Sequence, residues 1–246
     1  VNGRRVALVT GSASGIGAAV ARRFAGEGMR VVVNSARSVA AGEAVAAALP
    51  GAVYVQADVS VAEDARRLVA AAVERCGRID VLVNNAGMTR MIPHHDLDAA
   101  VPKVWREIFD VNVIGTWQMT VAAMPHLVAS GDGVVVNVSS IAGSRVAGSS
   151  IPYAVSKAAV EHMTRLLARA VGPQVRVNAV APGLTETPWT RDMPEFAAVA
   201  EQVRRLAPLR RVASAEDVAA AVSALVDATY TTGEVLRVDG GAHLVS

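Results

Sequence analysis

The chain has 246 residues, a formal charge of +2, and a composition that is 52% hydrophobic but only 4% aromatic. That length allows one or two domains with a sizeable core, which Val, Ala, Leu and Ile must build. Arginine pairs stand at Arg4-Arg5, Arg22-Arg23, Arg204-Arg205 and Arg210-Arg211, but no block of five or more like charges occurs, which argues against a nucleic-acid-binding arm.

The first predicted element is a strand over Val6 to Thr10, which the chain enters with no signal peptide visible ahead of it. Thr10-Gly11-Ser12-Ala13-Ser14-Gly15-Ile16-Gly17 follows, and a helix is predicted over Gly15 to Glu27. Glycines at 11, 15 and 17 allow a tight turn and a close backbone approach to a pyrophosphate, and the helix N-terminus offers unpaired N–H groups to it. Such a loop is a weak signal alone and a much stronger one between a clear strand and a clear helix. Gly28 ends that helix, where a residue without Cβ takes positive φ.

The second strand, Arg30 to Asn34, runs into Ser35-Ala36-Arg37. An acid at that place would bond a ribose hydroxyl; Ser35 stands there instead, and the first carboxylate afterwards is Glu43. A hydroxyl and a nearby guanidinium suit a 2′-phosphate, so NADP is expected rather than NAD, although Arg37 can equally be a surface loop charge. After the third strand, Val53 to Gln56, Asp58 can accept from an adenine amino group while Val59 packs the ring; Asp58 also reads as a turn residue. Ser60-Val-Ala-Glu63 has capping-box spacing ahead of a helix over Val61 to Cys76. Cys76 is the single cysteine and reads as a small apolar residue near a helix end; no internal disulfide is possible, which fits a reducing, cytoplasmic setting.

The fourth strand, Ile79 to Asn84, ends in Asn84-Asn85-Ala86-Gly87, where small residues let the backbone approach a cofactor and the Asn amides brace neighbouring strands. His94-His95-Asp96 is expected at the border of a substrate pocket rather than at a metal, because adjacent histidines seldom share a face and no further ligand has the spacing. Asn112 interrupts an apolar helical stretch, and a buried Asn needs partners: either a water reaching Lys157 or a backbone group. Trp117, Met119 and Met124 read as helix packing.

The fifth strand, Gly133 to Val138, precedes Ser139 and Ser140, which strand alternation points in different directions. Tyr153 and Lys157 lie four apart and share a helix face beginning near Pro152. An ammonium there favours the phenolate and lowers the tyrosine toward neutrality, so its hydroxyl can give a proton to a carbonyl and take it back. Tyr-x-x-x-Lys is common on helices; Ser140, thirteen residues upstream at a strand's carboxyl end, makes this one distinctive. The sixth and seventh strands are Val175 to Val180 and Val235 to Val238, with a Pro188-, Pro194- and Pro208-bearing insertion over 185–208 and a second capping box at Ser214-Ala-Glu-Asp217. Strand–helix alternation throughout argues for right-handed βαβ units in one parallel sheet, and no apolar run approaches the roughly 18 residues a bilayer requires.

The glycine loop, Asn84 to Gly87, Asn112, Ser140, Tyr153, Lys157 and Pro182-Gly183, in that order and spacing, resemble the classical short-chain dehydrogenase/reductase family over essentially the whole chain. The resemblance implies one doubly wound Rossmann domain over 1–246, with a seven-stranded parallel sheet and helices on both faces. It implies a tetrad: Asn112 for a water relay, Ser140 for substrate orientation, Tyr153 as acid/base, and Lys157 for phenolate tuning and ribose binding. Asn85, Thr185 and Thr187 would lie along the cofactor, with Thr185, where the family usually has Ile, contacting through its backbone. The closing Thr232 to Gly241 stretch implies a homo-tetramer or, second, a dimer, acting on a small molecule and on neither nucleic acid nor membrane. Pro208 to Asp217 resembles the 3-oxoacyl-[acyl-carrier-protein] reductase subgroup, with Ser214 where Pro is common and Val226 to Gly233 shortened. The expected activity is hydride transfer between NADP(H) and a secondary alcohol or ketone; a non-catalytic dinucleotide-binding regulator is the alternative, which a broken tetrad would favour.

Overall fold

The computed structural model describes residues 4–191, 193 and 196–245. In chain order its elements are β1 (Val6–Val9), α1 (Gly15–Gly26), β2 (Arg30–Ser35), α2 (Val39–Ala47), β3 (Val53–Gln56), α3 (Ala62–Cys76) and β4 (Val81–Asn84). Next come α4 (Pro102–Phe109), α5 (Thr116–Ser130), β5 (Gly133–Val138), α6 (Ile151–Val171) and β6 (Val175–Pro182). The chain closes with β7 (Thr185–Glu186), α7 (Pro188–Arg191), α8 (Phe196–Leu206), β8 (Ala213–Ser214), α9 (Ala215–Asp227) and β9 (Val235–Val238). A π-helical turn, Asp110–Gly115, joins α4 to α5 without a break.

Seven strands form one parallel sheet in the order β3-β2-β1-β4-β5-β6-β9. The five inner strands are short β-branched runs buried on both faces, as helices on both sides require, while the edge strands β3 and β9 are partly exposed. Alternation sorts the side chains: Ala7, Val9, Val31, Val33, Val134 and Val136 face α1 and α9 through Val20, Phe24, Val218 and Val222. Val6, Leu8, Val32, Leu82, Val135 and Val177 face the other way, onto Leu68, Met119, Leu127 and Leu167. The order reverses between β1 and β4, so a crevice opens at the strands' carboxyl ends there.

Local differences from the expected elements have local causes. The fourth strand begins at Val81 because the Asp80 carboxylate accepts the Val6 N–H (2.8 Å) and binds Arg78, which ties the segment before it across to β1. The sixth runs on to Pro182, paired with Val238 of β9. Ser60 is not a helix cap: its N–H and hydroxyl both donate to Asp58 Oδ1, while Asp64, rather than Glu63, reaches back to accept the Asp58 N–H. The acid one position later in α3 wins because it closes the turn made by Asp58. At Ser214 the box forms as expected, with reciprocal bonds to Asp217. Gly28 has φ +88°, as expected at the helix end. The insertion over 185–208 carries α7 and α8 and adds a two-stranded parallel pair, β7 with β8. Trp117 does not pack inward; it is 48% exposed on α5, whereas Met119 is buried and Met124 packs against the core. Cys76 is half-buried at the end of α3, and burial pushes its thiol up.

Candidate active site

The crevice at the switch point has a volume of about 1070 Å³. Its floor is the glycine loop. Gly11 (φ +62°) runs so close to the β4 end that a Cβ would stand 2.9 Å from Ala86 Cα. Gly17 is excluded from the crevice wall but required behind it: a Cβ there would meet Asn85 Nδ2 and the Gly11 carbonyl at 2.5 Å. Ser14, the exposed residue before α1, makes no side-chain cap bond, and among the described residues no side chain takes up the first N–H groups of that helix. An uncapped N-terminus reached by a glycine turn is a cradle for an anionic group, and these residues fit a dinucleotide's pyrophosphate.

Most of the expected cofactor contacts line this crevice: Gly11, Ser14, Gly15, Ile16, Ser35, Arg37, Asp58, Val59, Asn85, Ala86, Gly87, Pro182, Gly183, Thr185 and Thr187. Ser12 does not. It is fully buried, donating to the Val9 carbonyl and accepting from Asn34 N–H, so it ties the loop to β2 and Ala13 takes its place at the surface. Asn85 braces, as expected of these amides, giving its side-chain N–H groups to the Thr10 and Gly11 carbonyls; Asn84 bonds Thr120 and Asn137. Thr187 packs its methyl against Gly15, and Thr185 donates to the Gly183 carbonyl. Ser35 has a partner that sequence reasoning missed: its hydroxyl pairs with Tyr54 Oη at 2.8 Å, across the β2–β3 register. Asn34, also missed, lines the crevice and accepts the Gly11 N–H while its amide holds Val55 and Ala57. Arg37 is exposed at the crevice edge, with no bonded carboxylate among the described residues.

The polar end of the crevice gathers Ser140, Tyr153 and Lys157. Ser139 and Ser140 do diverge: Ser139 turns back to donate to the Lys157 carbonyl and to Glu161, leaving Ser140 on the crevice side. Lys157 is buried, donates to the Val138 carbonyl at 2.8 Å, and lies 5.7 Å from the centre of the Tyr153 ring. Burial lowers its pKa to about 8. Burial also raises the Tyr153 hydroxyl, and a hydrogen bond from the Ser140 side pulls it only partly back. The expected lowering by a neighbouring ammonium is thus not produced by the chain's own groups, because withdrawal from water is the leading influence on both side chains.

Asn112 sits one layer behind, buried in the π-helical turn. Its carbonyl oxygen accepts the Met88 N–H (2.8 Å), and its amide donates to the Met88 carbonyl and to Ser156. Ser156 in turn donates to the Tyr153 carbonyl at 2.7 Å. Both Asn112 Oδ1 and Lys157 Nζ flank Gly87. The remaining wall comes from Met88 to Met91, Ile141 and the insertion, including Trp189, Met193 and Phe196; Asp192, Pro194 and Glu195 lie outside the described residues. His94, His95 and Asp96 do not border the crevice, because the chain turns away after Met91.

A family model described as enoyl-(acyl carrier protein) reductase matches residues 11–243. A Streptomyces violaceoruber protein named ketoacyl reductase 2 of the granaticin polyketide synthase is 71% identical over 98% of this chain and 96% of its own length. The 3-oxoacyl-[acyl-carrier-protein] reductase of Thermotoga maritima is 38% identical over 96% of this chain and 97% of its own. A Burkholderia xenovorans crystal structure of the short-chain dehydrogenase/reductase type superposes with a TM-score of 0.91 at 38% identity, covering 99% of this chain and 100% of that one.

Proposed function

The chain belongs to the classical short-chain dehydrogenase/reductase family and is an oxidoreductase of keto or alcohol substrates, and from that premise we propose that it reduces a polyketide-type ketone with NADPH, using Tyr153 as proton donor. The observation that carries this reading is the meeting of Ser140, Tyr153 and Lys157 at the mouth of a crevice whose other end is the glycine cradle.

A nicotinamide held along the glycine cradle would supply the hydride for the carbonyl carbon. The chain's own residues do the rest. Ser140, half-buried beside Tyr153, holds the carbonyl oxygen by donating its hydroxyl proton in a hydrogen bond. Tyr153 gives its phenolic proton to that oxygen as the alcohol forms, and the raised phenol keeps this proton through neutral pH. Lys157 stands ready to bond a ribose hydroxyl and to stabilise the phenolate left behind. Asn112 shapes the route for reprotonation: by holding both backbone groups of Met88 it places its carbonyl oxygen beside Gly87, on the side where Lys157 Nζ lies. NADP is favoured over NAD by the missing acid after β2, by Ser35 and by the exposed Arg37 guanidinium at the crevice edge. Asp58, with one oxygen engaged by Ser60, and Val59 flank the adenine end.

The 71% relative, named for a polyketide synthase, favours a keto group on a growing or newly released acyl chain. A homo-tetramer in the cytoplasm completes the proposal; the apolar side chains of Ile114, Trp117 and Val121 exposed along the π-helical turn and α5 offer surface for association. Tyr153→Phe is the direct test. It should retain NADPH binding while turnover of a keto substrate falls by three or more orders of magnitude (~10³-fold). Unchanged turnover would remove the proton donor from the reading.

A further inference from the structure

Resting on that reading, we propose that Trp189 is the specificity-determining wall of the substrate pocket and selects ketones borne on flat, conjugated ring systems. The chain is poor in aromatic residues, with only three Trp, three Tyr and three Phe, yet one of each lines this crevice: Trp189, Tyr153 and Phe196. Three of its seven methionines, Met88, Met91 and Met193, line it too. Aromatic and thioether side chains are thus concentrated where the acid/base hydroxyl opens to substrate.

The geometry assigns the central part to Trp189. Its ring stands edge-on to Tyr153, with centroids 6.4 Å apart and an interplanar angle of 74°. In such a pair at least one indole face is left uncovered by the phenol, and Trp189 is 43% exposed. The benzene end of the indole reaches across the crevice: Cη2 comes within 3.8 Å of where a Cβ on Gly87 would stand. Trp189 is held at this angle by α7, where the Thr190 hydroxyl bonds the Thr185 carbonyl (2.6 Å) and accepts the Thr187 N–H (3.0 Å). A carbonyl placed at the Tyr153 hydroxyl therefore carries its substituent into the angle between phenol and indole. A flat π-system stacks there, offset on the indole face; a puckered saturated ring of equal size meets the same wall with poorer contact. Flexible Met88 and Met193, which also line the crevice, adapt to the substrate without dictating its outline.

The test uses a matched pair of bicyclic ketones, 2-tetralone and its saturated counterpart 2-decalone, with a straight-chain 3-oxoacyl thioester as the third substrate and NADPH throughout. The wild-type chain should prefer the tetralone in kcat/KM by about ten-fold. Trp189→Leu should erase that preference, chiefly by raising KM for the tetralone, and Trp189→Phe should restore most of it. In the turnover-deficient Tyr153→Phe chain, 2-tetralone should quench tryptophan emission, and the quench should vanish when Trp189→Phe is added. A tetralone-to-decalone ratio that stays the same in Trp189→Leu overturns the proposal, as does a wild-type chain that reduces the thioester but shows no such preference. Loss of all three activities in the wild-type chain defeats the reductase reading itself, and the proposal with it.

Discussion

Lys157 shows how a single buried group couples chemistry to stability. Among the described residues its ammonium has one hydrogen-bond partner, the Val138 carbonyl, and its pKa sits at about 8 rather than the ordinary 10.5. Below about pH 8 both folded and unfolded chains carry the proton, and the folded state bears the full cost of the buried cation. Between about 8 and 10.5 the unfolded chain binds more protons, so this group makes stability rise with pH there. Denaturant titrations at pH 7 and 9.5 should show wild type gaining on Lys157→Met by up to ~1.4 kcal/mol per pH unit within that window. Both values stay below the ordinary tyrosine pKa of 10.0, which keeps Tyr153 out of the comparison. Equal pH slopes in the two chains would mean the lysine is hydrated after all. The type and spacing of Tyr153 and Lys157 were legible in the sequence. The direction in which Tyr153 is moved was not, because spacing reports which charges are near and burial reports how much water is gone.

At the scale of elements, the two Ser-x-x-acid stretches separate pattern from outcome. Both have capping-box spacing, and only the one at Ser214 caps. There Asp217 accepts the Ser214 N–H and is further gripped by Arg211, which holds its carboxyl well below the usual range against a smaller opposing effect of burial. Ser214→Ala should cost about 1 kcal/mol in denaturant unfolding, with an unchanged denaturant slope. Ser60→Ala, by the same measurement, should cost less, since the Ser60 hydroxyl bonds only to Asp58 within the turn. The π-helical turn is likewise invisible to periodicity, because one six-residue turn is too short to establish a period of its own. Its effect is to set Asn112 facing Met88 and Ser156, a placement that the lone polar residue hinted at without specifying.

For the whole molecule, cofactor binding at the switch point should be read out as global stability, since a ligand that binds only the folded chain stabilises it by mass action. At equal concentrations NADPH should raise the unfolding midpoint more than NADH, and Arg37→Ala should narrow the gap by weakening NADPH alone. A larger shift with NADH would show that the Arg37 guanidinium is turned from the cofactor. The same scale explains what sequence could deliver. Seven β-branched runs alternating with helices determine the parallel sheet, since each run must be covered on both faces and each crossover has one favoured hand. The glycine loop, the missing acid after β2 and the order Asn112, Ser140, Tyr153, Lys157 are likewise properties of the linear chain, because they depend on residue type and spacing along single elements. Tertiary structure alone decided which of those residues face the crevice. It buried Ser12 and Gly17 behind the loop, paired Ser35 with Tyr54 from a neighbouring strand, carried His94 and His95 away, and brought Trp189 of the insertion across to Tyr153 and Gly87. Those outcomes are contacts between residues distant along the chain, and only the packing of sheet against helices sets their distances.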